Sequence, residues 1–261
     1  MRITLRISAA TALLLAVAVL AACGTNAGPG PVPLGTAVPS AAPSTGGDVP
    51  LPTAPLSPSP GTDDGRAMLW PFADVAAAQA WQTSFRSGGA QPWHLDSSAT
   101  ALGFTQGYLG FTGLDRVTSK EGGGAEAWIG VGYVTPGDGR QFTAAVLHLA
   151  RIGTDKDAPW EVVGTRDTSL TVDTPGYGAS ASWPMTVGGT LSGVDESLHV
   201  RVLGSGGPVG EACCTPAGGE NARWSVRVPR QTPRSGDLTV VVATGGHVVD
   251  IERFAITAVR G

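Results

Sequence analysis

The chain has 261 residues, of which 38 are Gly and 20 are Pro, and only 15% are charged. Its formal net charge is −4 and lysine occurs only at Lys120 and Lys156, so there is no basic run to neutralise nucleic-acid phosphates or grip an anionic lipid surface. Ten prolines fall between Pro29 and Pro60, whereas all seven tryptophans fall between Trp70 and Trp224. One stretch therefore cannot build a core and another can.

Arg2 and Arg6 precede an uncharged run from Ile7 to Ala22, which is short for a bilayer span and suited to the apolar region of a signal peptide. The run ends in Leu20-Ala21-Ala22-Cys23, which resembles the bacterial lipobox. The resemblance implies that residues 1–22 are removed and that Cys23 is acylated, anchoring the chain on the extracytoplasmic face of the membrane. The alternative is ordinary signal-peptide cleavage that leaves Cys23 incidental. Without Arg2 and Arg6 the balance is 15 basic to 21 acidic side chains.

Residues 23–65 carry no aromatic side chain, Lys or Arg, and their proline density predicts a disordered spacer biased toward polyproline II, reaching at most about 130 Å.

The segment 66–170 reads as an α+β domain. Asp74 is a candidate N-cap for a helix carrying Val75, Ala78, Trp81 and Phe85 at helical spacing, stopped by Gly88-Gly89. Asp96 is a second N-cap, before a helix with Ala101, Phe104, Tyr108 and Phe111 on one face. Gly103, Gly107 and Gly110 weaken that helix and predict close packing of another element against it. Beyond Gly122-Gly123-Gly124 the period becomes two. Strands are expected from Ala127 to Tyr133, Gln141 to Ile152 and Trp160 to Gly164, in an antiparallel meander. Two helices followed by a meander loosely resemble cystatin-like or nuclear-transport-factor-like cones, whose curved sheets often cup a ligand.

The segment 171–261 reads as all-β. Strands are expected at Ser169–Asp173, Met185–Leu191, Ser197–Leu203, Val209–Cys213, Ala222–Val228, Asp237–Ala243 and Val248–Thr257, separated by glycine-rich turns. Seven short alternating strands predict an immunoglobulin-like β-sandwich. Asp173-Thr174-Pro175-Gly176-Tyr177-Gly178, Trp183-Pro184 through Gly189, the valine-alternating Glu196 to Val202, Gly218-Gly219 with Trp224-Ser225-Val226 and Pro229, and Gly236 to Val240 follow one another in order. In that order and spacing the segment resembles the immunoglobulin-like domain of bacterial spore germination proteins. The resemblance implies an extracytoplasmic β-sandwich module of an envelope lipoprotein and brings no catalytic residues.

Chemistry-bearing motifs are sparse. Cys213 and Cys214 form either a vicinal disulfide or two reduced thiols. Neighbouring Cα atoms are about 3.8 Å apart, below the usual disulfide range, and a redox or switching role is conceivable. His94, His148, His199 and His247 show no zinc spacing, and no nucleophile elbow or phosphate loop is present. His148 is expected half-buried in its strand. Trp81, Trp128, Trp160 and Trp224 lie on periodic faces and are expected in the core. Trp70, Trp93 and Trp183, each beside a proline, are the candidate ligand contacts, with His94 next to them.

The expectation is a non-enzymatic envelope lipoprotein that binds an envelope protein or cell-wall glycan, with no metal or cofactor and no nucleic-acid partner. The alternative is a small-ligand carrier or sensor with a pocket in the α+β segment.

Overall fold

Asp74 starts the first helix as its sequence suggests. Its carboxylate accepts the Ala77 N–H at 2.7 Å, and α1 runs over Val75–Arg86 in the computed structural model, which describes residues 62–261 apart from 63 and 90. The expected signal peptide, Cys23 and most of the spacer lie outside the described residues.

A 3₁₀ turn at Pro92–Leu95 leads to Asp96, whose side chain accepts from the Ser98 and Ala99 N–H groups and caps α2 (Ser97–Leu102). The expected long second helix is instead α-helical only to Leu102. Gly103–Tyr108 continues as a π-helical turn, marked by the Leu109 N–H reaching Phe104 O at 2.9 Å. The low helix propensity of Gly103, Gly107 and Gly110 is consistent with α-helical winding giving way here.

The meander forms as β1 (Arg116–Gly122), β2 (Glu126–Val134), β3 (Gln141–Arg151) and β4 (Trp160–Arg166), paired antiparallel in that order. Sequence reading misses β1, a mostly exposed edge strand whose RVTSKEG carries no apolar alternation. Residues 67–72 run along the free edge of β4, with Leu69 N–H donating to Val162 O at 3.1 Å and Val162 N–H to Trp70 O at 2.8 Å.

The second half holds β5 (Ala179–Ser180), β6 (Met185–Gly204), β7 (Gly207–Val228), β8 (Asp237–Thr244) and β9 (Arg253–Arg260), in one mixed sheet of order β5-β9-β8-β6-β7. Only the β5–β9 pair is parallel. This corrects the expectation of seven separate strands. Met185–Leu191 and Ser197–Leu203 are two arms of β6, and Val209–Cys213 and Ala222–Val228 are two arms of β7. Register shifts in the β6–β7 ladder let the hairpin change direction without ending.

The 169–174 segment pairs with β6 through isolated bridges at Leu170–Leu191 and Thr174–Gly188 rather than as a strand. Met185, Val187 and Leu191 from the first arm of β6 share one core with Val200 and Val202 from the second and with Val240 and Val242 of β8. The described residues are thus mostly β, with two short α-helices, and are compatible with a β-sandwich.

The described residues all fall within one compact unit, which spans the expected 170/171 boundary. Strands β8 and β9 explain why. Leu238, Val240, Val242, Ala255 and Val259 point into the core that β6 and β7 share. Val241, Ala243, Phe254, Ile256 and Ala258 point the other way, into a core shared with Ile129, Leu147, Val162 and Phe104. Strands apolar on both faces must be covered on both, and the helices and meander supply the second cover.

Candidate functional site

The strand-like 67–72 segment organises the site. Beyond its pairing with β4, its Trp70 ring lies over Gly103, where an added Cβ would stand 2.8 Å from Trp70 Cη2. Trp70 stacks on Trp93 with ring centroids 5.2 Å apart, and Trp93 contacts His94 at 3.6 Å. His94 meets Phe72 at 4.9 Å and the edge of Trp81 at 4.8 Å, and Trp81 stacks on Phe85. Three sequence candidates, Trp70, Trp93 and His94, are therefore brought into one aromatic cluster.

Both tryptophans of that trio are half-buried, and His94 is only 3% exposed. Burial lowers its pKa to about 4, so the imidazole is neutral at pH 7. Its Nε2 lies 3.3 Å from Gln91 Oε1, while Nδ1 has no partner. Trp183 stands apart from the cluster. It packs against the sandwich core with the Arg230 guanidinium 5.7 Å over its ring.

A cleft of about 560 Å³ opens beside this cluster, lined by residues 68–74, Tyr108, Ser205 and residues 235–237. The Asp237 carboxyl lines it, and the Glu161 carboxyl is buried against the backbone of Phe72, one of its wall residues. Asp237 accepts the Met68 N–H at 3.0 Å, and its burial raises its pKa against the opposing effects of that hydrogen bond and of Arg260. Glu161, fully buried, accepts the Phe72 N–H on Oε2 at 3.1 Å while Oε1 has no partner. Burial pushes Glu161 well above the usual carboxyl range, and the charge of Asp237 adds to the shift. The Tyr108 hydroxyl lies 3.4 Å from Thr239 Oγ1, and burial raises the Tyr108 pKa. The arrangement offers aromatic faces, a phenol and the Asp237 carboxyl along the cleft, with the Glu161 carboxyl buried against the Phe72 backbone.

Sequence reading missed Tyr108, Glu161 and Asp237 as site residues. Glu161 carried a usable signal, because it is the one acidic residue inside the apolar run Trp160 to Val163. Locally, Tyr108 reads only as part of a helix face and Asp237 only as a strand opening.

The remaining candidates sort by face. Trp160 and Trp224 are core residues, Trp81 is half-buried in the aromatic cluster, and Trp128 lies on the outer face of the meander rather than in the core. There it stacks flat on half-buried His148, with centroids 4.8 Å and planes 3° apart, while Arg166 lies 5.2 Å from its ring. His148 Nε2 in turn meets Glu126 Oε2 at 3.0 Å, and Arg66 donates to Glu126 Oε1 at 2.6 Å. Those two partners, Arg66 foremost, hold the Glu126 carboxyl below its usual range. Cys213 and Cys214 are joined as a vicinal disulfide. Among the described residues no cluster of His, Cys, Asp and Glu has metal-holding geometry.

Compared with protein-family models, curated proteins and solved structures, the chain matches none of them.

Proposed function

We propose that this chain is a cell-envelope lipoprotein, held through acylated Cys23 on the extracytoplasmic face of the membrane, whose folded part binds a ligand rather than transforming one. The lipobox-like Leu20-Ala21-Ala22-Cys23 and the proline-rich spacer support the anchoring. The sequence resemblance supports an immunoglobulin-like domain of the spore-germination type, and the strand pairing is compatible with a β-sandwich. Both arms of β6 pair with β7, the second arm also pairs with β8, β8 pairs with β9, and β5 lies parallel to β9.

The observation that carries the binding reading is the cleft along residues 68–74, with Trp70, Tyr108 and Asp237 at its walls. Its size and mixed lining fit a small polar ligand such as a cell-wall glycan fragment, with aromatic faces for sugar rings and carboxyl and phenol groups for hydroxyls. An apolar protein-docking face has less support. Among the described residues, the exposed large apolar side chains are Val134, Tyr177 and Val248.

Two measurements test this. Cys23→Ser should move the protein from the membrane fraction to the soluble one, and continued membrane retention refutes the anchor. Titration of the intact protein with purified peptidoglycan fragments should change its tryptophan fluorescence, and Asp237→Asn and Trp70→Phe should weaken that response. No response, or one that both variants leave unchanged, refutes the cleft as the binding site.

A further inference from the structure

We infer that Cys213–Cys214 is a thiol–disulfide exchange site on an edge strand, reduced by a dithiol and coupled to the conformation of the β6–β7 hairpin. The pair lies in β7, the terminal strand of the five-stranded sheet, where one side of the backbone ladder has no strand neighbour. Leu198 pairs with Thr215 and Val200 with Ala212, so Cys213 and Cys214 together oppose the single residue His199. The disulfide therefore coincides with a bulge. Cys214 adopts φ 66°, in the left-handed region that a residue with a side chain rarely enters.

Three features separate this bond from a structural staple. It joins adjacent residues, so it closes no chain loop and contributes none of the loop-closure stabilisation a long-range disulfide gives. The hairpin on either side is already held by backbone pairing from Met185–Val228 to Gly204–Gly207. Both cysteines are exposed, and the facing side chains are polar, with His199 Nε2 2.5 Å from Glu211 Oε1 on an exposed surface. A thiolate can reach the sulfurs without the core opening.

The exchange balances with a dithiol reductant. One reductant thiolate attacks the Sγ of one cysteine, forming a mixed disulfide, and the S–S electron pair leaves on the other Sγ, which takes a proton from water. The second reductant thiol, as thiolate, then attacks the mixed disulfide and releases the first cysteine, which is protonated in turn. Two electrons and two protons pass from the dithiol, which becomes a disulfide, to the cysteine pair. Once reduced, Cys214 is free to leave the left-handed region, and the ladder around Leu198 and Thr215 loses the constraint that fixes its bulge.

The test uses the intact protein treated with dithiothreitol or, separately, with a thioredoxin-type protein, followed by maleimide labelling and hydrogen exchange. The expected result is two labels per chain from Cys213 and Cys214, in protein whose circular dichroism is unchanged. Amide exchange should accelerate about tenfold or more in residues 212–217, with no change in β8 and β9. Labelling by dithiothreitol alone assigns the site to small thiols, and labelling by both reductants assigns it to protein dithiols as well. The Cys213→Ser/Cys214→Ser protein should show the fast pattern without reductant. Labels that appear only when the whole fold is lost, or reduction that leaves exchange in 212–217 unaltered, would overturn the inference.

Discussion

Glu161 accepts the Phe72 N–H through one carboxylate oxygen at 3.1 Å, and its other oxygen meets no donor. Burial raises the pKa of this carboxyl group and favours its protonated form, and that makes the stability of the fold depend on pH. The unfolded chain loses this proton near 4.5, whereas the native chain keeps it to well above that value. Native protein thus binds more protons in the window between, and this group's contribution falls as pH rises through it. Glu161→Gln should remove that slope, which amounts to about 1.4 kcal/mol per pH unit. Urea unfolding of both proteins from pH 4.5 to 8 measures it. A constant difference across the range would show that Glu161 is ionised in the native state.

The opposite sign holds at Asp157. Arg86 donates to both its oxygens, at 2.5 and 2.7 Å, and Gln82 adds a third bond, so the carboxyl is depressed to about 2. The stabilisation this gives is present above the unfolded value of 3.8 and is lost as pH falls toward 2. Arg86→Ala should return the Asp157 titration toward 3.8, as read by carboxyl carbon NMR. An unshifted midpoint would mean that the ion pair does not hold α1 to the loop before β4.

Gly103 and Gly107 share a sequence spacing but not an environment. A methyl at Gly103 collides with the Trp70 ring, whereas one at Gly107 meets nothing within 4 Å. Gly103→Ala should destabilise the protein by about 1–3 kcal/mol, through overpacking that outweighs its helical gain. Gly107→Ala should be neutral or stabilise by up to about 1 kcal/mol. The denaturant midpoint should fall for Gly103→Ala and not for Gly107→Ala, and equal losses would refute the contact with Trp70.

Thr165 joins the two sheets. Its hydroxyl donates to Ile256 O and accepts from Ile256 N–H, both at 3.1 Å. Thr165→Val keeps the shape and removes both bonds, leaving a backbone donor and acceptor unpaired at the seam between β4 and β9, at a cost of about 1–3 kcal/mol. Thermal unfolding should remain a single transition at lower temperature. Two separated transitions would show that the helical–meander half and the second half are energetically independent.

Much of the fold is legible from local patterns. Asp74 and Asp96 announce their helices because a carboxylate at that position meets free N–H groups whatever the tertiary context. Strands β2, β3 and β4 show in the alternation around Ile129, Leu147 and Val162, since one face meets the core. Strand β1 does not show, because an edge strand with exposed side chains needs only backbone partners. The site was legible in part. Trp70, Trp93 and His94 stand out as aromatic and titratable residues near prolines, but nothing local indicates that Phe72, Trp81 and Phe85 complete their cluster.

What the sequence alone determines about this chain is therefore local: the cap positions, the α+β-then-β order, the adjacent cysteines and the aromatic residues of the site. Tertiary structure decides what those pieces meet. It bends β6 and β7 into two arms each, covers both faces of β8 and β9, seats Tyr108 and Asp237 at one cleft and buries Glu161 against the Phe72 backbone, drawing on elements more than a hundred residues apart. The physical reason is that caps and alternation depend on nearest neighbours along the chain. Burial of a second sheet face, or of a lone carboxyl, depends on which distant apolar surface arrives to cover it.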